Sequence, residues 1–212
     1  MSRLMDLGLD QLTKMILDMS RLTEKTIISS LDAYQKKSEV TADSIFQLSN
    51  QLGMLKESTN DLAVELLARY QPLAVDLRYI KSCIDISYDL SRFGRYAYDI
   101  ALTPSWLGDL SSCDFTVSLD MADKALAMIR KSIVAFKNRD AELAKTLSKD
   151  DDVIDRMYKE AINSIMNNKD AEMKCVVATL LLVRHLERMA DHACYIGDSV
   201  VYIVEGQKVN LE

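Results

Sequence analysis

The sequence contains very few of the residues that interrupt helices. Only two prolines and six glycines occur in 212 residues, so the chain has few places for the tight turns of a sheet-rich fold. Leucine, alanine, methionine, lysine and glutamate, which all favour helix, are plentiful. This composition predicts a fold of helices alone.

The sequence also lacks long runs of basic residues and long runs of apolar residues. The net charge is −6 and no long basic run offsets the acids, which argues against a nucleic-acid surface. The longest apolar stretch, residues 175–183, is about half of the roughly 20 residues that a membrane span needs. Residues 1–10 carry an acid and no apolar run, so they do not resemble a secretory signal. We therefore expect a cytoplasmic protein.

The four cysteines form no Cys-x-x-Cys pair, which excludes a zinc ribbon and a framework of disulfides. We expect all four to be reduced, small apolar side chains. They are Cys83, Cys113, Cys175 and Cys194.

Motifs that would indicate catalysis are absent too. There is no glycine-rich phosphate loop and no dinucleotide turn, so nucleotide binding has no support. The only histidines are His185 and His192, and neither belongs to the Glu-x-x-His motif of a ferritin-type di-iron bundle. We expect both histidines to be solvated or at an interface, and we find no candidate catalytic residue.

Apolar residues recur at helical spacing along most of the chain. This spacing predicts helices over about 4–34, 42–70, 72–102, 114–137, 141–167 and 171–204, with a loop at 103–108 and breaks at 138–140 and 168–170. Short connections favour antiparallel neighbours, so each set of three helices can bury its apolar faces in one bundle. We predict an all-α protein of two tandem antiparallel three-helix bundles, residues 1–108 and 109–212.

Two segments look like copies of one motif. Residues 90–95 (LSRFGR) and 186–191 (LERMAD) begin 96 residues apart, which suggests an internal duplication of about half the chain. The acids are present only in the later copy. Any chemistry that the motif carries is therefore expected in the C-terminal half alone.

The C-terminal half carries two pairs of acids at helical spacing. Asp151 and Asp155 interrupt an apolar stripe, and Glu187 and Asp191 flank the stripe of the last predicted helix. Residues four apart share a helix face, so the four carboxylates converge if the two helices are neighbours. Clustered carboxylates suit magnesium, calcium, manganese or iron. The alternative is a solvated face balanced by arginines such as Arg156 and Arg188.

Larger segments resemble the PhoU family of phosphate-signalling regulators. Residues 68–80 and 89–94 are similar to its first repeat signature, and residues 185–192 and 201–206 to its second. The resemblance implies a cytoplasmic, all-helical, commonly dimeric protein without enzymatic activity. It also implies action with the ATPase subunit of a phosphate ABC transporter and a sensor histidine kinase, restraining the phosphate-starvation response.

The resemblance also implies metal ligands, because several family members carry multinuclear clusters on acidic motifs. The matching ligands of a divalent or multinuclear metal (iron, zinc, manganese or magnesium) would be Asp151, Asp155, Glu187 and Asp191. The equivalent positions of the first repeat are Ser49, Gly53, Ser91 and Arg95, and none supplies a carboxylate. We therefore expect one metal site, in the C-terminal bundle. Two alternatives stay open: a metalloenzyme of the carboxylate-bundle type, and a divergent PhoU-like regulator of another transporter.

Overall fold

A computed structural model describes residues 3–36, 41–168 and 170–212 of the chain. Within these ranges it contains helices and no strand, which confirms the predicted all-α class. The helices are α1 (Arg3–Lys36), α2 (Ala42–Tyr70), α3 (Ala74–Leu107), α4 (Thr116–Asn138), α5 (Ala141–Lys145), α6 (Leu147–Asn167) and α7 (Met173–Glu205). None of these described helices is both long enough and apolar enough to cross a membrane.

The short helix α5 and helix α6 are separated only by Thr146. Together they occupy the place of one predicted helix, so the expected order of three helices followed by three is retained. The predicted break at 168–170 includes Lys169, which lies outside the described residues. Asn168 does end α6, as predicted.

Side chains and backbone conformation explain where several helices begin and end. The Thr41 hydroxyl accepts a hydrogen bond from the backbone N–H of Ser44 at 3.3 Å, and so caps the start of α2. Gln71 adopts a left-handed conformation with φ of 44° and ends α2 immediately before Pro72. The Asp140 carboxylate caps α5 by accepting from the N–H of Leu143 at 2.9 Å.

The predicted loop at residues 103–108 is wrong. Helix α3 continues through Pro104 to Leu107 and ends at Gly108, whose φ of 75° suits glycine. A proline inside a helix removes one backbone hydrogen bond, but Thr103 is buried and its hydroxyl donates to the carbonyl of Asp99 at 3.0 Å. The turn after the proline is still closed by the bond from Gly108 N–H to the carbonyl of Pro104 at 3.0 Å, so the helix ends only at the glycine.

Helices α1, α2 and α3 pack on one another as the N-terminal bundle, and α4, α5, α6 and α7 pack as the C-terminal bundle. The two bundles join chiefly along α3 and α7, which are packed against each other. Phe93 on α3 and Met189 on α7 belong to the same continuous buried core. The domain boundary at residue 108 stays a prediction, since the core itself does not divide there.

Two of the four cysteines are not reduced, contrary to expectation. Cys113, in the segment between α3 and α4, forms a disulfide with Cys175 at the start of α7, and their Cα atoms are 5.3 Å apart. The two residues are 62 positions apart in sequence, so only the packing of the bundle brings them together. Cys83 and Cys194 are free and buried, as expected.

Candidate functional site

The four acids singled out from the sequence lie on two helices of the C-terminal bundle. Asp151 and Asp155 are on α6, Glu187 and Asp191 are on α7, and these helices pack against each other. Asp151 is 7% exposed and Asp191 is 3% exposed, whereas the other two acids are half-buried. The structure thus places the predicted set in one neighbourhood.

The acids affect one another's ionisation. Burial, reinforced by the negative charges of Asp191 and Asp155, raises the pKa of Asp151 to about 7. Burial and the charge of Glu187 raise the pKa of Asp191 to about 6. The carboxylate of Glu212 adds to the repulsion on both aspartates. The acids therefore destabilise one another's charged forms, which a bound cation would relieve.

Three of the acids are nevertheless paired with cations from their own helices. Arg184 Nη1 donates to both oxygens of Glu187, at 2.8 and 2.7 Å. Arg188 Nη1 lies 2.7 Å from Asp191 Oδ2, although that oxygen accepts no well-directed hydrogen bond. The third pair joins Lys159 to Asp155 at 3.0 Å. Of the two arginines named from the sequence, Arg188 balances an acid, whereas Lys159 takes the place expected for Arg156.

The four acids are the right kind of side chain to bind a metal ion, but they are not arranged around one position. Buried carboxylate oxygens in excess suit a hard cation. Within the part of the chain that the structure describes, however, no three His, Cys, Asp or Glu side chains are arranged around a common metal position. A metal ion would compete with Arg184, Arg188 and Lys159 for the same oxygens.

The equivalent positions of the N-terminal bundle carry no acid. Ser49 is buried on α2. Ser91 donates its hydroxyl hydrogen to the carbonyl of Tyr88 at 2.7 Å. The guanidinium of Arg95 lies 5.6 Å from the ring centre of Tyr98, an attractive cation–π distance. These positions offer no carboxylate to a cation.

A buried polar network between α3 and α7 was not predicted from the sequence. His192 Nδ1 lies 2.9 Å from Asp89 Oδ1, and its Nε2 lies 3.2 Å from the hydroxyl of Tyr96. Arg92 donates to the same hydroxyl at 2.9 Å. Because a carboxylate only accepts, the simplest assignment puts a hydrogen on Nδ1 and lets Nε2 accept from Tyr96. We expected His192 to be solvated or at an interface, and it lies at the interface between α3 and α7.

The charge on Asp89 is costly at this depth. Burial raises the pKa of Asp89, and the hydrogen bond from His192 partly counteracts that effect. Asp89 also lines a cavity of about 530 Å³ between α2, α3 and α7. Tyr96 and His192 stand at equivalent positions of the two repeats, 96 residues apart. Equivalence alone does not indicate contact, so nothing in the sequence pointed to this network.

Comparisons with known proteins agree with this architecture. The PhoU domain model matches residues 16–103 and 119–200, one segment in each bundle. The phosphate-specific transport system accessory protein PhoU homolog of Clostridium acetobutylicum is 28% identical, over 99% of this chain and 98% of that protein. The homolog of the same description from Pseudomonas putida is 30% identical, over 95% of this chain and 80% of that protein.

Two crystal structures resemble the fold closely. The phosphate transport system regulatory protein PhoU from Streptococcus pneumoniae has a TM-score of 0.89 at 25% identity, covering 97% of this chain and 99% of that one. PhoU from Pseudomonas aeruginosa has a TM-score of 0.86 at 28% identity, covering 95% of this chain and 99% of that one.

Proposed function

Because the chain belongs to the PhoU family, we propose that it regulates phosphate transport and phosphate-starvation signalling and catalyses no reaction of its own. One observation carries this proposal: both bundles match the family, and the similarity to accessory proteins of phosphate transport extends over nearly the whole length. The absence of nucleotide-binding and nucleophile motifs from the sequence is consistent with a role through protein contact.

The partners of this regulation would be the ATPase subunit of a phosphate ABC transporter and a sensor histidine kinase. We expect the chain to bind these partners as a homodimer in the cytoplasm. Contact with the ATPase would make phosphate import depend on the state of the regulator. Contact with the kinase would make the transcription of phosphate-starvation genes depend on the same state.

Affinity capture from cells grown in excess phosphate tests this role. Tagged protein should recover the transporter ATPase, the histidine kinase, or both, and deletion of the gene should switch on phosphate-uptake genes in phosphate-rich medium. Recovery of neither partner, with unchanged expression after deletion, would favour a divergent regulator of another transporter.

We further propose that Asp151, Asp155, Glu187 and Asp191 hold a divalent or multinuclear metal such as iron, zinc, manganese or magnesium. Support comes from the raised pKa values of Asp151 and Asp191, because crowded carboxylates bind a cation with a gain in electrostatic free energy. Binding would release the arginine and lysine partners described above. The N-terminal bundle would hold no such metal.

Elemental analysis of protein purified without added metal tests the site. Asp155→Ala and Glu187→Ala should each lose most of the bound metal. Ser91→Ala, at the position equivalent to Glu187, is the matched control and should keep it. Equal metal content in all the proteins would contradict the proposed site and leave the regulatory role untouched.

A further inference from the structure

The Cys113–Cys175 disulfide joins two parts of the molecule that are distant in sequence. Cys113 lies in the connecting segment, residues 108–115, which links the N-terminal bundle to the C-terminal bundle. Cys175 lies in the first turn of α7. The bond therefore fastens the connection between the bundles to the long helix that also packs against α3.

Much of the hydrogen bonding in the connecting segment is local. Ser111 N–H donates to Asp109 at 2.8 Å, and Cys113 N–H donates to the carbonyl of Leu110 at 3.0 Å. A hydrogen bond between Ser112 and Glu172 crosses to the start of α7. The ammonium group of Lys174, and to a smaller extent this bond, lower the pKa of Glu172. The disulfide adds a covalent link to this crossing hydrogen bond and to the burial of Leu110 and Phe115 in the core.

Cavities lie on both sides of the disulfide. One, of about 730 Å³, is lined by Tyr34 and Phe115 among others, and the second, of about 580 Å³, by Glu160 and Thr179 among others. Cys113 lines both cavities, and Cys175 lines the second. Both cysteines are only half-buried, and the cavities that they line open to solvent.

The other two cysteines provide a contrast within the same molecule. Cys83 and Cys194 are fully buried. Burial raises the pKa of the Cys83 thiol to about 12 and also raises that of Cys194. Because the thiolate is the reactive form, these two residues are protected from exchange while the protein is folded.

We propose that Cys113 and Cys175 form a reversible thiol–disulfide exchange site for low-molecular-weight thiols and disulfides, which fastens or releases the connecting segment. On reduction, the thiolate of a small thiol attacks one sulfur, the Cys113–Cys175 bond breaks, and a mixed disulfide forms. A second small thiolate then displaces the cysteine, which gives two cysteine thiols and one small-molecule disulfide. On oxidation the small disulfide accepts the two electrons, and the same steps run in reverse.

Redox titration of the full chain with reduced and oxidised glutathione tests the exchange. After rapid alkylation, mass spectrometry should show Cys113 and Cys175 gaining or losing label together, while Cys83 and Cys194 stay unlabelled in the folded protein. The proposal is overturned if the disulfide resists glutathione throughout the titration, or if the two thiols stay free in fully oxidised glutathione.

Hydrogen–deuterium exchange tests the structural consequence. Reduction should accelerate amide exchange in residues 108–115 and 172–178 by about tenfold or more, because local opening no longer requires the covalent link to move. The double variant Cys113→Ser, Cys175→Ser should exchange at the fast rate in both oxidised and reduced buffer. Equal exchange in the oxidised and reduced wild type would refute the fastening role.

Discussion

At the scale of single residues, the hydrogen bond between Asp89 and His192 joins the two central helices. It is 2.9 Å long and both side chains are buried. A polar pair at this depth adds little net stability when intact, but removing Asp89 leaves Nδ1 of His192 without its acceptor, and removing His192 leaves the carboxylate of Asp89 without its donor. The pair therefore acts mainly by penalising any packing of α3 and α7 that separates it.

Asp89→Ala should lower the free energy of unfolding by about 2–3 kcal/mol, because the imidazole of His192 loses its acceptor in the core. The matched control is Asp85→Ala, four residues earlier on α3, where the carboxylate pairs with Lys81 near the surface. That change should cost about 1 kcal/mol or less. Urea denaturation of the three proteins measures the difference, and equal losses would contradict the assigned role of Asp89.

The candidate site was predictable from the sequence only in part. Spacing four residues apart placed Asp151 with Asp155 and Glu187 with Asp191, and the structure brings the two pairs together. The partners of these acids depend on which rotamers the packed helices allow, so Arg184 and Lys159 were not foreseen. The Asp89–His192 pair spans 103 residues of sequence, and only the packing of the bundles creates it.

At the scale of the helices, close approach explains an otherwise unfavourable glycine. Gly94 lies in the middle of α3, and a methyl group there would lie 2.5 Å from Leu52 Cδ1 and 3.4 Å from the Cα of Ser49. Helix α2 therefore packs against the backbone of α3 at this point. Gly53, on α2, has no neighbouring atom within 4 Å of such a methyl group.

Gly94→Ala and Gly53→Ala should consequently have opposite effects. Gly94→Ala should destabilise the fold by about 1–2 kcal/mol, because Leu52 must move to make room. Gly53→Ala should stabilise it by about 0.5–1 kcal/mol, since alanine favours helix and meets no obstacle. Thermal unfolding of the two variants beside the wild type measures both signs, and destabilisation by Gly53→Ala would contradict the open space there.

Helix positions were predicted more accurately than helix ends. Periodic apolar residues located the helices, and the turn at Gln71 and the break at residues 138–140 were predicted correctly. Local signals failed at Pro104, which lies inside α3 because the helix loses only one backbone bond there and continues to Gly108. They also failed at Thr146, which separates α5 from α6 although the apolar pattern runs on without interruption.

At the scale of the whole molecule, several buried carboxylates make stability depend on pH. The pKa is raised to about 7 for Asp151 and Asp198 and to about 6 for Asp191, in each case chiefly by burial. The unfolded chain has carboxyl pKa values near 3.9. The folded state therefore binds more protons than the unfolded state between about pH 4 and pH 7, so its stability falls as pH rises through this interval.

Metal-free protein in a chelating buffer should accordingly be more stable at pH 5 than at pH 7.5. We expect a difference of about 2 kcal/mol in the free energy of unfolding, allowing for solvent screening. Burial also raises the pKa values of Asp89 and Glu187, which adds to the trend. Burial lowers the pKa of His185, and hydrogen bonds lower the pKa values of the exposed Asp114 and Glu172, which opposes it.

Asp151→Asn removes one of the buried carboxylates and should reduce the pH dependence. Urea denaturation at the two pH values measures it for both proteins. A midpoint that rises from pH 5 to pH 7.5 in the wild type would contradict the assignment of buried, destabilised carboxylates.

The contacts between α3 and α7 have a consequence for how the two halves recognise each other. Asp89 and His185 are equivalent positions of the two repeats, and so are Tyr96 and His192. Asp89 pairs with His192, and the ring of His185 lies 5.9 Å from that of Tyr96. Two N-terminal halves joined in the same way would bury Asp89 against Tyr96, and two C-terminal halves would bury His185 against His192. Only a mixed pair sets an acid against a histidine, so divergence of the repeats has made the polar contact between the two halves heterotypic.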